Sequence, residues 1–192
     1  VVLFLREKIS SRTFIVRAVT EAETEEIIRK NHVFLGWLHA QGDVSLGITE
    51  KIPVPITMFS YQGIRIFIET RIPGIPAWKV NSGKLRERIL NDSIQFLQAL
   101  HMNTRKSVRL DQEALDVLFH HDDQRIHGLD CCSDRLSSLF RERVSKIKQA
   151  LVGQEMWIAV SHGDYGYGNI LVDHRDGHLT GVIDWDTGRK ME

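Results

Sequence analysis

Between Ser161 and Asp186 the chain reads SHGDYGYGNILVDHRDGHLTGVIDWD, with polar side chains gathered at the two ends. His162, Asp164 and Asn169 fall in a glycine-rich loop, and Asp184 closes the strand-like run that follows. A strand rises about 3.3 Å per residue, so the run out from Asn169 and the run back to Asp184 are nearly equal in length. A hairpin between them brings Asp184 beside Asn169. Two oxygen donors at one end of a rigid hairpin suit a hard cation such as Mg²⁺, which takes a few carboxylate or amide oxygens and completes its shell with water and phosphate. Asp164 then stands at the mouth of the same site. A carboxylate that orients and deprotonates a hydroxyl, close to a metal that neutralises a migrating phosphoryl group, is what phosphoryl transfer requires.

Other residues invite chemistry but are poorly spaced for it. Gly163, Gly166 and Gly168 precede a strand-like run rather than a helix and lack a following Lys, so they read as loop flexibility, not as a phosphate loop. His120, His121, Asp122 and Asp123 include no i, i+4 ligand pair among themselves, and no CxxC spacing organises them with His127, Cys131 and Cys132, so they read as a solvated interhelical segment. A metal-dependent hydrolase built on His120 to Asp123 is disfavoured by that spacing. Trp185 reads as a packing residue.

The elements that must hold these groups follow from periodicity. Thr13 to Ala18 is β-branched and aromatic, a strand. Thr20 and Glu23 have capping-box spacing and open a helix whose apolar residues Ile27, Ile28, Phe34, Leu35 and Leu38 run to about Gln41. Val54 to Ser60 and Gly63 to Glu69 form a hairpin about Tyr61-Gln62-Gly63. Arg71-Ile72-Pro73-Gly74-Ile75-Pro76 cannot easily continue either element, so the domain hinge is placed there. Helices follow over Leu85 to Leu100 and Leu136 to Leu151. Trp157 to Val160 is a short apolar run, and Asn169 to Asp173 pairs with Leu179 to Asp184 across His174 to His178.

Composition narrows the partners. The 192 residues are 42% hydrophobic and 26% charged, enough for a real core. Lys plus Arg number 25 and Asp plus Glu number 25, so no charge excess favours nucleic acid or an anionic membrane. The longest apolar runs fall far short of the roughly 20 residues of a membrane-spanning helix. The only cysteines are adjacent, which argues against a disulfide framework and for a reducing, cytoplasmic setting. The first residue is Val, so the chain ends are not expected to be natural ends.

The motifs HGDYGYGNIL and GVIDWD resemble those of the aminoglycoside phosphotransferase and choline kinase-like small-molecule kinases, which share the protein-kinase fold. Gln95 to His101 (QFLQALH) resembles that family's helix ending in Leu-His, and Ile66 to Ala77 (IFIETRIPGIPA) its interlobe segment. The resemblance implies a two-lobed α+β fold. A partial nucleotide-binding lobe of sheet plus helix would cover residues 1–72, and a mainly helical lobe carrying the catalytic β-hairpin would cover 73–192.

It also implies roles: Asp164 as catalytic base, His162 bracing its loop, and Asn169 and Asp184 as metal ligands. The backbone of Thr70 and Ile72 would hydrogen-bond adenine. Arg17, in FIVRAV, stands where the family places a strand lysine against the nucleotide phosphates. The family's acidic helix partner aligns with Asn31, while Glu25 and Glu26 lie more than a turn earlier. The activity implied is Mg²⁺-dependent transfer of the γ-phosphoryl group of ATP (or GTP) to a hydroxyl of a small, aminoglycoside-like molecule. Only twelve residues precede Thr13, none of them Gly, and eight follow Asp184. The chain is therefore expected to be truncated at both ends, without the glycine-rich hairpin over the nucleotide, and the alternative is an inactive nucleotide-binding remnant. Oligomeric state is left open.

Overall fold

The structure, a computed structural model, describes residues 1–8, 12–41, 47–127 and 134–185, the side chains of residues 120–127 and 134 excepted. Its first sheet is antiparallel in the order β1-β2-β4-β3, made of β1 (Val2–Arg6), β2 (Thr13–Val19), β3 (Pro55–Tyr61) and β4 (Ile64–Thr70). β2 and the β3–β4 hairpin are the strands expected from sequence, and the tight turn falls at Gln62 and Gly63. β1 was not expected, because five consecutive apolar residues carry no alternation that marks a strand. It pairs with β2 from Val2 opposite Arg17 to Arg6 opposite Thr13. A strand therefore precedes the Arg17 strand despite the absence of glycine in that stretch.

Helix α1 (Ala22–Gln41) buries Ile28, Asn31, Leu35 and Leu38 along one stripe, as 3.6-residue periodicity requires. It starts later than a Thr20 cap implies. The Glu21 carbonyl is the acceptor for the Glu25 N–H at 2.9 Å, so Glu21 takes the cap position and places its carboxylate at the positive end of the helix. Ile28 packs with Val19 of β2 and Phe67 of β4, and Arg65 of β4 donates to Glu25 at 2.8 Å. One face of the sheet is thus covered by α1.

After β4 the chain passes through Arg71 to Gly74 into β5 (Ile75–Pro76), which pairs with β8 (Ile170–Val172), itself paired with β9 (Leu179–Val182). Gly74 has φ 125° and lies against the hairpin; a Cβ there would stand 2.9 Å from the Val172 carbonyl oxygen. A side chain is excluded both by conformation and by space. Helix α2 (Gly83–Thr104) buries Ile89, Ser93, Phe96 and Leu100. Ile89, Phe96 and Leu100 join Phe34 and Leu35 of α1, Val172 and Val182 of the hairpin, and Trp185 in the main core.

By mutual contacts the chain forms two compact units: residues 1–105 with the segment from Ala159 onward, and Lys106–Ile158. The boundary at residue 72 that the resemblance implies lies inside the first unit. The second unit holds β6 (Lys106–Arg109), α3 (Gln112–His127), α4 (Asp134–Leu151) and β7 (Glu155–Ile158), with β6 and β7 antiparallel. Helix α3, started by the Asp111 carboxylate accepting from the Ala114 N–H at 2.8 Å, runs on through residues 120–127, where an interhelical segment was expected. The side chains of His120, His121, Asp122, Asp123 and His127, and both cysteines, lie outside the described residues. Among the described residues no helix is long and apolar enough to cross a membrane.

Candidate active site

The loop between Val160 and β8 is closed on itself by short bonds. The Gly166 N–H donates to the Asp164 carbonyl at 3.0 Å, and the Asn169 and Ile170 N–H groups both donate to the Gly166 carbonyl. Asn169 Nδ2 donates to the Asp164 carbonyl and to the Asp164 carboxylate Oδ2, each at 3.0 Å. With both bonds made by the amide nitrogen, the remaining polar atom of the side chain, Oδ1, is an oxygen acceptor. Asp164 itself is exposed, as a group that must meet a substrate has to be.

The hairpin brings the second acid to the same end. Val182 lies opposite Ile170, and the Ile183 N–H donates to the Asn169 carbonyl at 2.9 Å, so Asn169 faces Ile183 and Asp184 is the next residue. The equal-length argument from sequence holds to within one residue, and the extra residue that β9 carries at the register shift between Leu171 and Val172 moves Asn169 from facing Val182 to facing Ile183, closer to Asp184. Asp184 is exposed and adopts φ 64°, a left-handed conformation that costs a non-glycine residue energy and recurs at functional sites.

His162 ties the two segments together. Its ring is 2% exposed, Nδ1 accepts from the Asp164 N–H at 3.3 Å, and Nε2 donates to the Ile183 carbonyl at 3.0 Å. Those partners define the neutral tautomer with its proton on Nε2. Burial pushes the imidazole below its ordinary value, opposed by the Ile183 carbonyl and by the carboxylates of Asp184 and Asp164. The ring lies 4.4 Å from the Trp185 ring, which is itself 1% exposed and donates Nε1–H to the Val182 carbonyl, so Trp185 packs as expected.

Tyr165 is a support that sequence reasoning missed. Its hydroxyl donates to the Ser93 carbonyl of α2 at 3.0 Å, its ring is parallel to Phe96, and burial raises it to about 12, which keeps the donor proton in place.

In the first sheet, Arg17 Nη2 donates to Glu69 Oε1 at 3.2 Å. Sequence reasoning missed Glu69, because β3 separates β2 from β4 along the chain and only the sheet order brings the pair together. Asn31, in the expected acid position of α1, is 3% exposed, and its Oδ1 has no hydrogen-bond partner among the described residues. Thr70 donates its N–H to the Val54 carbonyl at 2.9 Å and accepts from the Val54 N–H through Oγ1 at 2.8 Å. The Thr70 N–H is therefore already engaged by Val54. Ile72 is buried against β9, where a Cβ on Gly181 would meet its side chain.

Among the described residues no three or more His, Cys, Asp or Glu side chains form a metal cluster. The donor set at the hairpin end is instead two exposed carboxylates and an amide oxygen, all hard oxygen donors, which fits a Mg²⁺ that shares its shell with phosphate.

The chain matches the phosphotransferase enzyme family over residues 3–190. No curated protein matches it. Among solved structures it is similar to aminoglycoside-3'-phosphotransferase of type VIII, with 20% identity and TM-score 0.51, covering 97% of this chain and 67% of that one. It is similar to aminoglycoside phosphotransferase APH(3'')-Id from Streptomyces rimosus in complex with ADP and streptomycin, with 14% identity, TM-score 0.59 and coverage of 96% and 71%. A thermostable mutant of aminoglycoside phosphotransferase APH(4)-Ia, in a ternary complex with AMP-PNP and hygromycin B, gives 14% identity, TM-score 0.59 and coverage of 98% and 67%. With a family match over nearly its whole length and a kinase-like antiparallel sheet and helices, the chain belongs to the phosphotransferase enzyme family and is a small-molecule kinase.

Proposed function

We propose that the protein transfers the γ-phosphoryl group of ATP to a hydroxyl of a small, aminoglycoside-like molecule. The observation that carries this reading is the pair of hydrogen bonds from Asn169 Nδ2 to the Asp164 carbonyl and carboxylate, which makes the exposed carboxylate and the amide oxygen one unit beside Asp184. Asp164 orients the acceptor hydroxyl and takes its proton as the phosphoryl group moves. Asn169 restrains the rotation of that carboxylate. His162 is a brace rather than a proton carrier, since it is buried, neutral and committed at both nitrogens.

Asn169 through Oδ1 and Asp184 through its carboxylate would hold Mg²⁺, which when bound offsets the charge of the phosphates. The Thr70 carbonyl and the Ile72 N–H would hold adenine, and Arg17 would face the phosphates from β2. The nucleotide-binding part would then be residues 1–72 and the catalytic part 73–192. ATP is the donor we favour, in keeping with the ADP and AMP-PNP of the two complexes above. The cytoplasm is the compartment we assign, because it supplies ATP and keeps Cys131 and Cys132 reduced. The match over residues 3–190 and the closed catalytic loop do not favour an inactive remnant.

The test is ADP release with ATP, Mg²⁺ and a panel of aminoglycosides, for the parent and Asp164→Asn. The amide fits the same space but cannot take the proton, so turnover should fall at least about 100-fold while the melting temperature is unchanged. Turnover by the variant within a few-fold of the parent would remove Asp164 from the role.

A further inference from the structure

Arg17 and Glu69 sit on the α1-covered face of neighbouring strands. In the β2–β4 register Ile15 is opposite Glu69 and Arg17 opposite Phe67, so the pair is diagonal. Both side chains are largely withdrawn from water, at 20% and 10% exposure. Burying a carboxylate is costly unless a cation compensates it, so an acid at this point of an apolar strand requires a reason. Helix α1 presents only a neutral amide on its buried stripe, Asn31, between Ile28 and Leu35. The sheet, through Glu69, supplies a negative charge to Arg17.

We infer that Glu69 is a positioning residue that aims the Arg17 guanidinium at the nucleotide phosphates, with the partner built into the adjacent strand instead of into α1. The inference rests on the proposed reading that Arg17 faces the phosphates. A guanidinium is a planar fork with five donors, so the Nη2 bond to Glu69 restrains its plane, and the fork matches the geometry of phosphate oxygens. An ammonium point charge cannot be held in this two-sided way. Because the strand register sets the separation, the aim of Arg17 does not depend on how α1 is seated. In this enzyme the nucleotide grip is uncoupled from helix movement.

The experiment measures binding of ATP with Mg²⁺, and separately of adenosine, to the parent, Arg17→Ala, Glu69→Gln and the double variant, with a thermal melt of each. Arg17→Ala and Glu69→Gln should each weaken ATP by about tenfold, and the double variant should be no weaker than Arg17→Ala alone. Adenosine, which has no phosphate, should bind all four alike. Glu69→Asp keeps the charge for folding but withdraws the carboxylate by one methylene, and should also weaken ATP while sparing adenosine. Unchanged ATP affinity in the Glu69 variants, equal loss of ATP and adenosine, or losses that multiply in the double variant would overturn the inference. If the parent binds ATP and Asp164→Asn abolishes transfer, such a result overturns the role of Glu69 alone. If the parent binds no ATP, the proposed function falls with it.

Discussion

Asn169 holds Asp164 through a single nitrogen that bonds both the main-chain carbonyl and the carboxylate of the same residue, each at 3.0 Å. The carboxylate is thereby fixed to its own backbone, and the opposite side of the amide is left as an oxygen. Changing Asn169 to Asp would replace the donor by a second negative charge. Like charges at this separation disfavour ionisation, so the acid limb of the pH–rate profile should move up by about one pH unit, with turnover reduced above it. An unmoved limb in a kcat/KM profile would show that Asn169 does not govern Asp164.

Asp184 combines exposure with a left-handed backbone at φ 64°, a conformation that Asn also tolerates. Asp184→Asn therefore removes charge with little change in backbone strain. In the parent, Mg²⁺ and ATP together should raise the melting temperature by more than the sum of their separate effects, because each completes the site of the other. The variant should lose that excess while its ligand-free melting temperature stays level or rises slightly. Differential scanning with neither, each and both ligands reads the coupling, and an excess that survives in the variant removes Asp184 from the metal site.

The neutral, buried His162 makes acid stability a reporter of the loop. Its folded value lies below the ordinary 6.5, so above that pH both states are uncharged and the group contributes no slope. As pH falls below about 6.5 the unfolded chain takes up the proton first, and stability drops until the folded value is reached. His162→Gln, which keeps a donor for the Ile183 carbonyl, should flatten that descent by up to about 1.4 kcal/mol per pH unit. Burial lowers His32 as well, so part of the slope should persist. Chemical denaturation between pH 5 and 7.5 measures it, and identical slopes for parent and variant would contradict the assignment.

Gly181 of β9 lies against the segment that precedes β5. A Cβ there would stand 2.8 Å from the Lys51 carbonyl oxygen and collide with the Ile72 side chain. Gly181→Ala should cost about 1–3 kcal/mol, the range for forcing extra volume into a packed site. Since Ile72 is the residue displaced, ATP affinity should fall in the same variant. A stability within 0.5 kcal/mol of the parent, read by urea denaturation, would mean that the contact relaxes freely.

The site acids could be found in the sequence because their arrangement is local. Asp164 and Asn169 are five residues apart in one loop, and the distance out to the turn and back to Asp184 follows from strand rise alone. The β3–β4 hairpin, α1, α2 and α4 carried their own periodicity in the same way. Glu69 was not legible, since its meaning depends on β4 inserting between β2 and β3, a pairing that no span of neighbouring residues encodes. β1 and the β6–β7 pair were hidden for the same reason: an apolar or mixed run becomes a strand only when a partner supplies the backbone bonds. The buried amide of Asn31 and the anchoring of Tyr165 on Ser93 likewise emerged only from packing. Local spacing determined which groups could perform chemistry. Long-range strand order and core contacts decided which neighbours hold them, because register and burial arise only when distant segments meet.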